Sequence, residues 1–205
     1  MTYMIRVLLI LSLLSSCSYV SYSQVVPMIK VATIGAPNES VTLKDFQKAE
    51  YSFLKVRIGR SANANLTLAT VKNNILEWVS ASNEKIYTYN GKIIKVSGIG
   101  KNISFITYSK FAIEPQTIDS FDVQLYNPGA VIQQVSDIRF VDYREIFYLD
   151  KKINAKYFKE YVVTKEFRWK YVNHYWVDDS TNRVIKSKQS IHPGFPDLEI
   201  EYFYK

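Results

Sequence analysis

Apolar and polar residues alternate along most of the chain after Lys48, and this period of two predicts β-strands. Short clusters of turn residues separate the runs, and no later stretch has the apolar spacing of an amphipathic helix of three turns. The predicted strands are residues 51–59, 66–72, 75–82, 85–89, 92–98, 121–127, 131–141, 144–149, 160–178, 183–191 and 198–204. A succession of short strands of this kind favours an antiparallel architecture.

Local residue patterns place two turns and one helix. Asn90-Gly91 lies between two predicted strands and indicates a hairpin, because both positions of such a turn need positive φ. The segment 161–178 is too long for an average strand, so we expect a bend or bulge within it and a chain reversal at 178–182. Ser40 or Thr42 could cap a short helix before the first strand. The predicted fold is therefore mainly β, an antiparallel open (half) barrel or sandwich with one or two short helices near the N-terminus.

The first seventeen residues, MTYMIRVLLILSLLSSC, have the pattern of a bacterial export signal. Their apolar core is too short for a helix that spans a bilayer. Leu14-Ser15-Ser16-Cys17 looks like a lipobox, the cleavage site at which the cysteine becomes the acylated N-terminus. An ordinary secretory signal with a coincidental cysteine, or a retained anchor, is the alternative. The expected organisation is a lipoprotein signal peptide at 1–16, a lipidated tether at 17–37 and a single β-rich domain at 38–205.

Cys17 is the one cysteine of the sequence, so an internal disulfide is impossible. Lipidation of Cys17 explains why an exported protein has a single cysteine. Acyl chains on Cys17 would tether the protein to a membrane, and the protein itself would not span that membrane. The residue that follows the cysteine is Ser18 and not Asp. Under the usual sorting pattern of Gram-negative lipoproteins, this favours the outer membrane, with the domain at its periplasmic face.

Composition narrows the choice of partners. The formal net charge is +7, but the basic residues are scattered among apolar ones, as in Lys159, Lys165 and Lys170. This distribution is typical of the solvated face of a sheet, and nucleic acid is therefore not an expected partner. Aromatic residues make up 15% of the chain, including 16 Tyr. They fit either sheet packing or a surface on which sugars stack, and composition leaves both interpretations open.

Few residues offer catalytic chemistry. The two histidines, His174 and His192, cannot supply the four ligands of a structural zinc site, so neither a metal nor another cofactor is expected. No G-x-S-x-G nucleophile motif occurs. Asp178 and Asp179 fall in a predicted turn, while Glu199 and Glu201 alternate along a strand and fit its solvated face better than a glycosidase pair. We expect a protein that is not an enzyme, with no catalytic residues.

Two stretches of the sequence carry a resemblance to a known family. Residues 76–103 contain a Trp, a polar turn, a strand and a Gly-basic-apolar-apolar run that leads to Ser-x-Gly. In residues 167–203, the matching positions are Trp169, Asn173, Tyr175, Trp176, Asp178, Val184, Ser187 and Gln189. Both stretches, in this order and behind a lipobox, resemble the YjbF/GfcB family of exopolysaccharide and group 4 capsule lipoproteins. The chain departs from the family pattern at His174, where Arg is expected, and at 179–182, where the relatives have a Gly.

The resemblance implies a non-enzymatic outer-membrane lipoprotein that takes part in the biosynthesis or export of capsule or exopolysaccharide. Its implied partners are the polysaccharide, a large outer-membrane barrel and a periplasmic protein of the same secretion system, besides the membrane that holds the lipid on Cys17. A lipid-binding or acyl-chain-binding periplasmic carrier of an open-barrel fold is the alternative. The candidate ligand or partner surface is formed by Trp169, Asn173, His174, Tyr175 and Trp176.

Overall fold

The computed structural model describes residues 36–100, 102–105, 113, 117–126, 129–164, 166 and 168–205. Residues Asn38–Lys205 form one compact unit. The predicted signal peptide, Cys17 and the tether up to residue 35 lie outside the described residues. In the described ranges, no helix is both long enough and apolar enough to cross a membrane.

One short helix and twelve strands make up the regular structure of the described residues. In chain order they are α1 (Leu43–Lys48), β1 (Phe53–Ile58), β2 (Ala64–Lys72), β3 (Ile75–Val79), β4 (Lys85–Tyr89), β5 (Lys92–Ser97), β6 (Asn102–Phe105), β7 (Thr117–Tyr126), β8 (Ala130–Tyr148), β9 (Lys151–Thr164), β10 (Lys170–Asp178), β11 (Val184–Gln189) and β12 (Leu198–Phe203). The prediction of a mainly β, antiparallel fold is confirmed.

The sheet closes on itself. Each strand pairs antiparallel with the next in the chain, and β1 pairs with β12 as well as with β2, over six residue pairs from Phe53–Phe203 to Ile58–Leu198. The strands therefore form a closed barrel, and the prediction of an open half barrel or sandwich is wrong. Alternation specifies which face of a strand is buried, but it carries no information on whether the first and last strands meet.

Two strand boundaries also differ from the predicted ones. Residues 131–141 and 144–149 belong to the single strand β8, which has an irregular register between Phe140 and Asp142. The long segment 160–178 is divided between β9 and β10, which pair with each other instead of forming one bent strand. The chain reverses between Thr164 and Trp169, where Thr164 N donates to Trp169 O at 2.9 Å. The short strand β6 was not predicted.

The predicted turns and the helix cap are confirmed. Asn90 and Gly91 have φ values of 48° and 77° and join β4 to β5. The reversal after β10 is held by Asn182 N, which donates to Asp178 O at 2.8 Å. Helix α1 begins after Thr42, whose side chain accepts a hydrogen bond from Asp45 N. Asp45 in turn accepts from Thr42 N, which completes a capping box.

The barrel interior is packed with large side chains. Trp78, Tyr175, Tyr202 and Phe121 are among the largest fully buried residues, and aliphatic side chains of β1, β2, β5, β7 and β12 fill the space between them. Trp78 Nε1 donates to Thr88 Oγ1 at 2.8 Å, so its polar atom is satisfied inside the core. The remaining interior volume holds a set of polar groups, which are described next.

Candidate functional site

A buried ion pair lies inside the barrel. Lys92 at the start of β5 contacts Glu160 of β9, and the two side chains are 5% and 0% exposed. The second oxygen of Glu160, Oε2, accepts hydrogen bonds from Asn173 Nδ2 and Tyr175 OH of β10, both at 2.8 Å. Lys92 Nζ also lies 4.2 Å from the centroid of the Phe121 ring. Both charges are therefore compensated without water.

Further hydrogen bonds extend this cluster across the barrel. Gln189 Nε2 of β11 donates to Gly91 O at 2.8 Å, and Gln189 Oε1 accepts from Ile93 N at 2.9 Å. Tyr202 OH of β12 also donates to Gly91 O, at 2.9 Å. Strand β5 is not a sheet neighbour of β11 or β12. These bonds consequently join opposite walls of the barrel, and we call the set Gly91, Lys92, Glu160, Asn173, Tyr175, Gln189 and Tyr202 the interior polar cluster.

Burial and pairing set the charge states in the interior polar cluster. Burial alone would raise the pKa of Glu160, but the Lys92 ammonium and the hydrogen bonds from Asn173 and Tyr175 hold that pKa below its usual range. Burial lowers the pKa of Lys92, and Glu160 opposes this effect. Burial and the nearby Glu160 charge raise the pKa of Tyr175 far above its usual value. The direct contact between Lys92 and Glu160 is that of an ion pair, and the Tyr175 phenol is a hydrogen-bond donor to it.

The interior polar cluster brings together residues from the two sequence stretches that carry the family resemblance. Gly91 and Lys92 come from the first stretch, and Asn173, Tyr175 and Gln189 come from the second. Sequence reasoning missed Glu160, which connects the two stretches. Its one sequence signal is its position in β9, two residues from Phe158 and two from Val162, which places it on the same inward face as these apolar residues.

A second group of interacting side chains lies on the outer face of the barrel. Tyr157 of β9 is directly opposite Trp176 of β10, with their ring centroids 5.1 Å apart. Tyr157 OH is hydrogen-bonded to His174 Nδ1 at 2.5 Å, and the Arg144 guanidinium carbon lies 3.6 Å from the centroid of the Tyr157 ring. We call Tyr157, His174 and Trp176 the outer aromatic cluster. His174 and Trp176 are half-buried, so part of each is open to a partner.

His174 is neutral in this position. Burial lowers the pKa of its imidazole, and the nearby Lys159 and Lys188 ammonium groups lower it further. A neutral imidazole can both donate and accept a hydrogen bond. Within the described ranges, no group of three His, Cys, Asp or Glu residues is placed to hold a metal ion.

The five residues of the predicted surface therefore divide among three places. Asn173 and Tyr175 point into the barrel, while His174 and Trp176 belong to the outer aromatic cluster. Trp169 stands before β10, where its ring stacks on Tyr171 with the centroids 4.1 Å apart and packs against the core. The structure thus brings two of the five together on an accessible face, and Tyr157 joins them as a residue that the sequence did not indicate.

The cavities differ in size and position. The one beside Lys92, inside the barrel, has a volume of about 10 Å³. Two larger clefts are open to the outside. One has about 530 Å³ and lies between residues 39–51 and strands β1 and β2. The other has about 500 Å³, crosses β2 to β6, and includes Lys72, Tyr87 and Lys95.

Residues 27–203 match the family of group 4 capsule polysaccharide lipoproteins described by GfcB and YjbF. The chain belongs to this family, and the resemblance seen in the sequence is confirmed. It is a capsule-related lipoprotein, a class that is membrane-anchored.

Two comparisons place the chain among its relatives. The uncharacterized lipoprotein GfcB of Escherichia coli strain K12 is 20% identical over 177 residues, which cover 80% of this chain and 82% of GfcB. The crystal structure of the hypothetical lipoprotein YmcC from Escherichia coli K12 superposes with a TM-score of 0.70 at 17% identity. That match covers 92% of this chain and 98% of YmcC, and it establishes a shared fold.

Proposed function

We propose that this protein is a non-enzymatic accessory of capsule or exopolysaccharide biosynthesis or export, anchored in the outer membrane by lipid on Cys17 and facing the periplasm. The observation that carries the proposal is the match of residues 27–203 to the capsule lipoprotein family. The lipobox at residues 14–17 and Ser18 support the anchor and its membrane. A periplasmic protein and an outer-membrane barrel of the same secretion system are the proposed protein partners.

The interior favours a binding protein over an enzyme. The buried groups most capable of acid-base chemistry, Lys92 and Glu160, are bonded to each other. The cavity beside them, of about 10 Å³, holds at most one water molecule and cannot admit a substrate. The same cavity is far too small for an acyl chain, so the described interior gives the lipid-carrier alternative no support.

The outer aromatic cluster is the proposed contact surface for polysaccharide or a partner protein. It presents the indole of Trp176 and a neutral imidazole, and both rings rest on Tyr157, which is itself 3% exposed and is covered by the Arg144 guanidinium. Aromatic rings that are held by neighbours offer contact area at a small entropic cost. His174 stands where family members are expected to have Arg, so this surface would differ between relatives in its hydrogen-bonding groups.

Cys17→Ser is expected to move the protein from the membrane fraction to the soluble periplasmic fraction, because the acyl chains would have no attachment site. Stable anchoring generally takes two lipid chains, each of which contributes about 0.8 kcal/mol per buried methylene. The measurement is fractionation followed by immunoblotting, with a high-salt wash that removes peripheral proteins. A variant that still sediments with the outer membrane after the wash contradicts the lipid anchor.

Trp176→Ala is expected to reduce polysaccharide export while the barrel stays folded, because the indole lies on the outer face and is half-buried. Its loss of stability should be smaller than the roughly 3–5 kcal/mol expected for truncating the fully buried Trp78. Export and melting temperature are measured together for Trp176→Ala, Trp176→Phe and Trp169→Ala. Wild-type export by Trp176→Ala, or a Trp176→Ala protein that unfolds as readily as Trp78→Ala, contradicts this surface.

A further inference from the structure

A row of paired residues crosses five strands on the outer face of the barrel, away from the outer aromatic cluster. Register joins Thr70 of β2 to Glu77 of β3, Glu77 to Tyr87 of β4, Tyr87 to Lys95 of β5, and Lys95 to Ser104 of β6. These residues line the cleft of about 500 Å³. Adjacent strands are about 4.8 Å apart, so the row is about 19 Å long. A site of that length suits a chain better than a single small molecule.

Tyr87 is fixed in the middle of the row. Its hydroxyl donates to Glu77 Oε1 at 2.9 Å, and Lys85 Nζ donates to the same oxygen at 2.9 Å. Burial and the hydrogen bond to Glu77 raise the pKa of Tyr87, so it remains a neutral phenol. The ring is half-buried. Because its orientation is already set, stacking a ligand on it costs little side-chain entropy.

The charges along the row leave a positive excess. Hydrogen bonds from Lys85 and Tyr87 lower the pKa of Glu77, so it is ionised and its charge is balanced by Lys85. Lys95 Nζ lies 5.1 Å from the centroid of the Tyr87 ring, and Lys72 lines the same cleft. In the described part of the chain, neither Lys72 nor Lys95 forms an ion pair with a carboxylate. A cleft that contains a fixed aromatic ring and two ammonium groups favours an anion that also has an apolar face.

We propose that this row, from Thr70 to Ser104, binds a stretch of acidic polysaccharide through sugar residues that carry carboxylates. The C–H face of a pyranose would pack on Tyr87 and on the neighbouring, partly exposed Ile75, and its carboxylate would bind Lys95 or Lys72. The hydroxyls of Thr70 and Ser104 lie at the ends of the row to hydrogen-bond the sugar hydroxyls. This inference rests on the proposed function, since it names the class of glycan that such an accessory would contact.

The test uses isothermal titration calorimetry to measure the binding of tetragalacturonate to the full-length lipoprotein in detergent micelles. Maltotetraose is the neutral comparison. The wild-type protein is expected to bind the acidic oligosaccharide, more weakly as salt is added, and to prefer it over maltotetraose. Tyr87→Ala and the double variant Lys72→Gln/Lys95→Gln are each expected to weaken binding about tenfold or more, which corresponds to about 1.4 kcal/mol. Tyr51→Ala, at an exposed tyrosine in the other cleft, should bind as the wild type does.

The outcomes for the acidic-glycan site and for the proposed function are separate. Equal binding of the acidic and neutral oligosaccharides, no binding of either, or unchanged binding by both row variants overturns the acidic-glycan site. A further possible result is that the wild-type protein does not bind tetragalacturonate but cross-links to another protein, and that the row variants no longer form this cross-link. The row is then a protein interface, and the inference is overturned as well. The proposed function is judged separately, by polysaccharide export in a strain that lacks the gene and in the same strain complemented with the wild type. Unchanged export in the deletion strain contradicts the function whatever the row binds.

Discussion

The Glu160→Gln variant is expected to unfold about 3–5 kcal/mol more easily than the wild-type protein, because it leaves the Lys92 ammonium buried without a counter-charge. Glutamine keeps the size of the side chain and an oxygen for Asn173 and Tyr175. The loss therefore reports mainly on the charge. Urea unfolding measures it as a lower midpoint with an unchanged slope.

The pH dependence of that variant has a defined sign. Burial lowers the pKa of Lys92, and removing the Glu160 charge removes the largest interaction that opposes burial. Between the lowered pKa of folded Lys92 and the ordinary lysine pKa of 10.5, the unfolded chain then binds more protons than the folded one. Stability of Glu160→Gln should therefore rise, relative to the wild-type protein, as the pH is raised through this interval toward 10.5.

Two further variants test whether the loss of stability comes from the buried charge. Lys92→Met/Glu160→Gln removes both charges, and it should recover much of the stability that Glu160→Gln alone loses. Glu145→Gln breaks the ion pair with Lys152, whose two side chains are 62% and 71% exposed, and should change the free energy of unfolding by about 0–1 kcal/mol. If Glu160→Gln is as mild as Glu145→Gln, the pair does not hold the barrel walls together.

Gly91→Val is the second variant with a large expected effect. The φ of Gly91 is +77°, which costs a β-branched residue about 1–3 kcal/mol in backbone strain. A Cβ at this position would also lie 2.4 Å from the Val184 Cβ of β11, and overpacking of this kind costs about 1–3 kcal/mol more. The same displacement would disturb the Gly91 carbonyl, which accepts from Gln189 and Tyr202. Melting temperature and urea midpoint should both fall.

The two causes can be separated with matched variants. Gly91→Ala should cost less stability in a Val184→Gly background than in the wild-type protein, because the nearest clash is with the Val184 Cβ, which glycine lacks, while the strained φ is the same in both. Gly129→Val is the control, since a Cβ there meets nothing within 4 Å. A Gly91→Val protein as stable as Gly129→Val would contradict the observed turn and its contact with β11.

The sequence predicts what depends on neighbouring residues. Alternation correctly places Asn173 and Tyr175 on one face of β10 and His174 and Trp176 on the other, because a strand has a period of two. The Asn90-Gly91 turn is equally local. The turn between β9 and β10 escapes prediction, since residues 165–169, KEFRW, contain neither Gly nor Pro and continue the apolar alternation.

The candidate site is predicted less completely, for a different reason. Glu160 has charged and aromatic neighbours in sequence and looks like any solvated strand residue, because its partner Lys92 is 68 positions away. Tyr157 joins His174 and Trp176 only through the pairing of β9 with β10. The row from Thr70 to Ser104 likewise exists only through the registers of five strands. Contacts of this kind depend on tertiary pairing that no local pattern specifies.

The pairing of β1 with β12 has a consequence for the order in which the protein folds. Strands β2 to β11 can pair with sequence neighbours as soon as they are available, but the closing ladder must wait for residues Leu198–Phe203 at the far end of the domain. Until then, β1 and β11 are unprotected edges that can pair with other chains. Closure of so long a loop is also slow. Docking of the last strand thus completes the barrel, and a chaperone that shields the two edges would act before β12 docks.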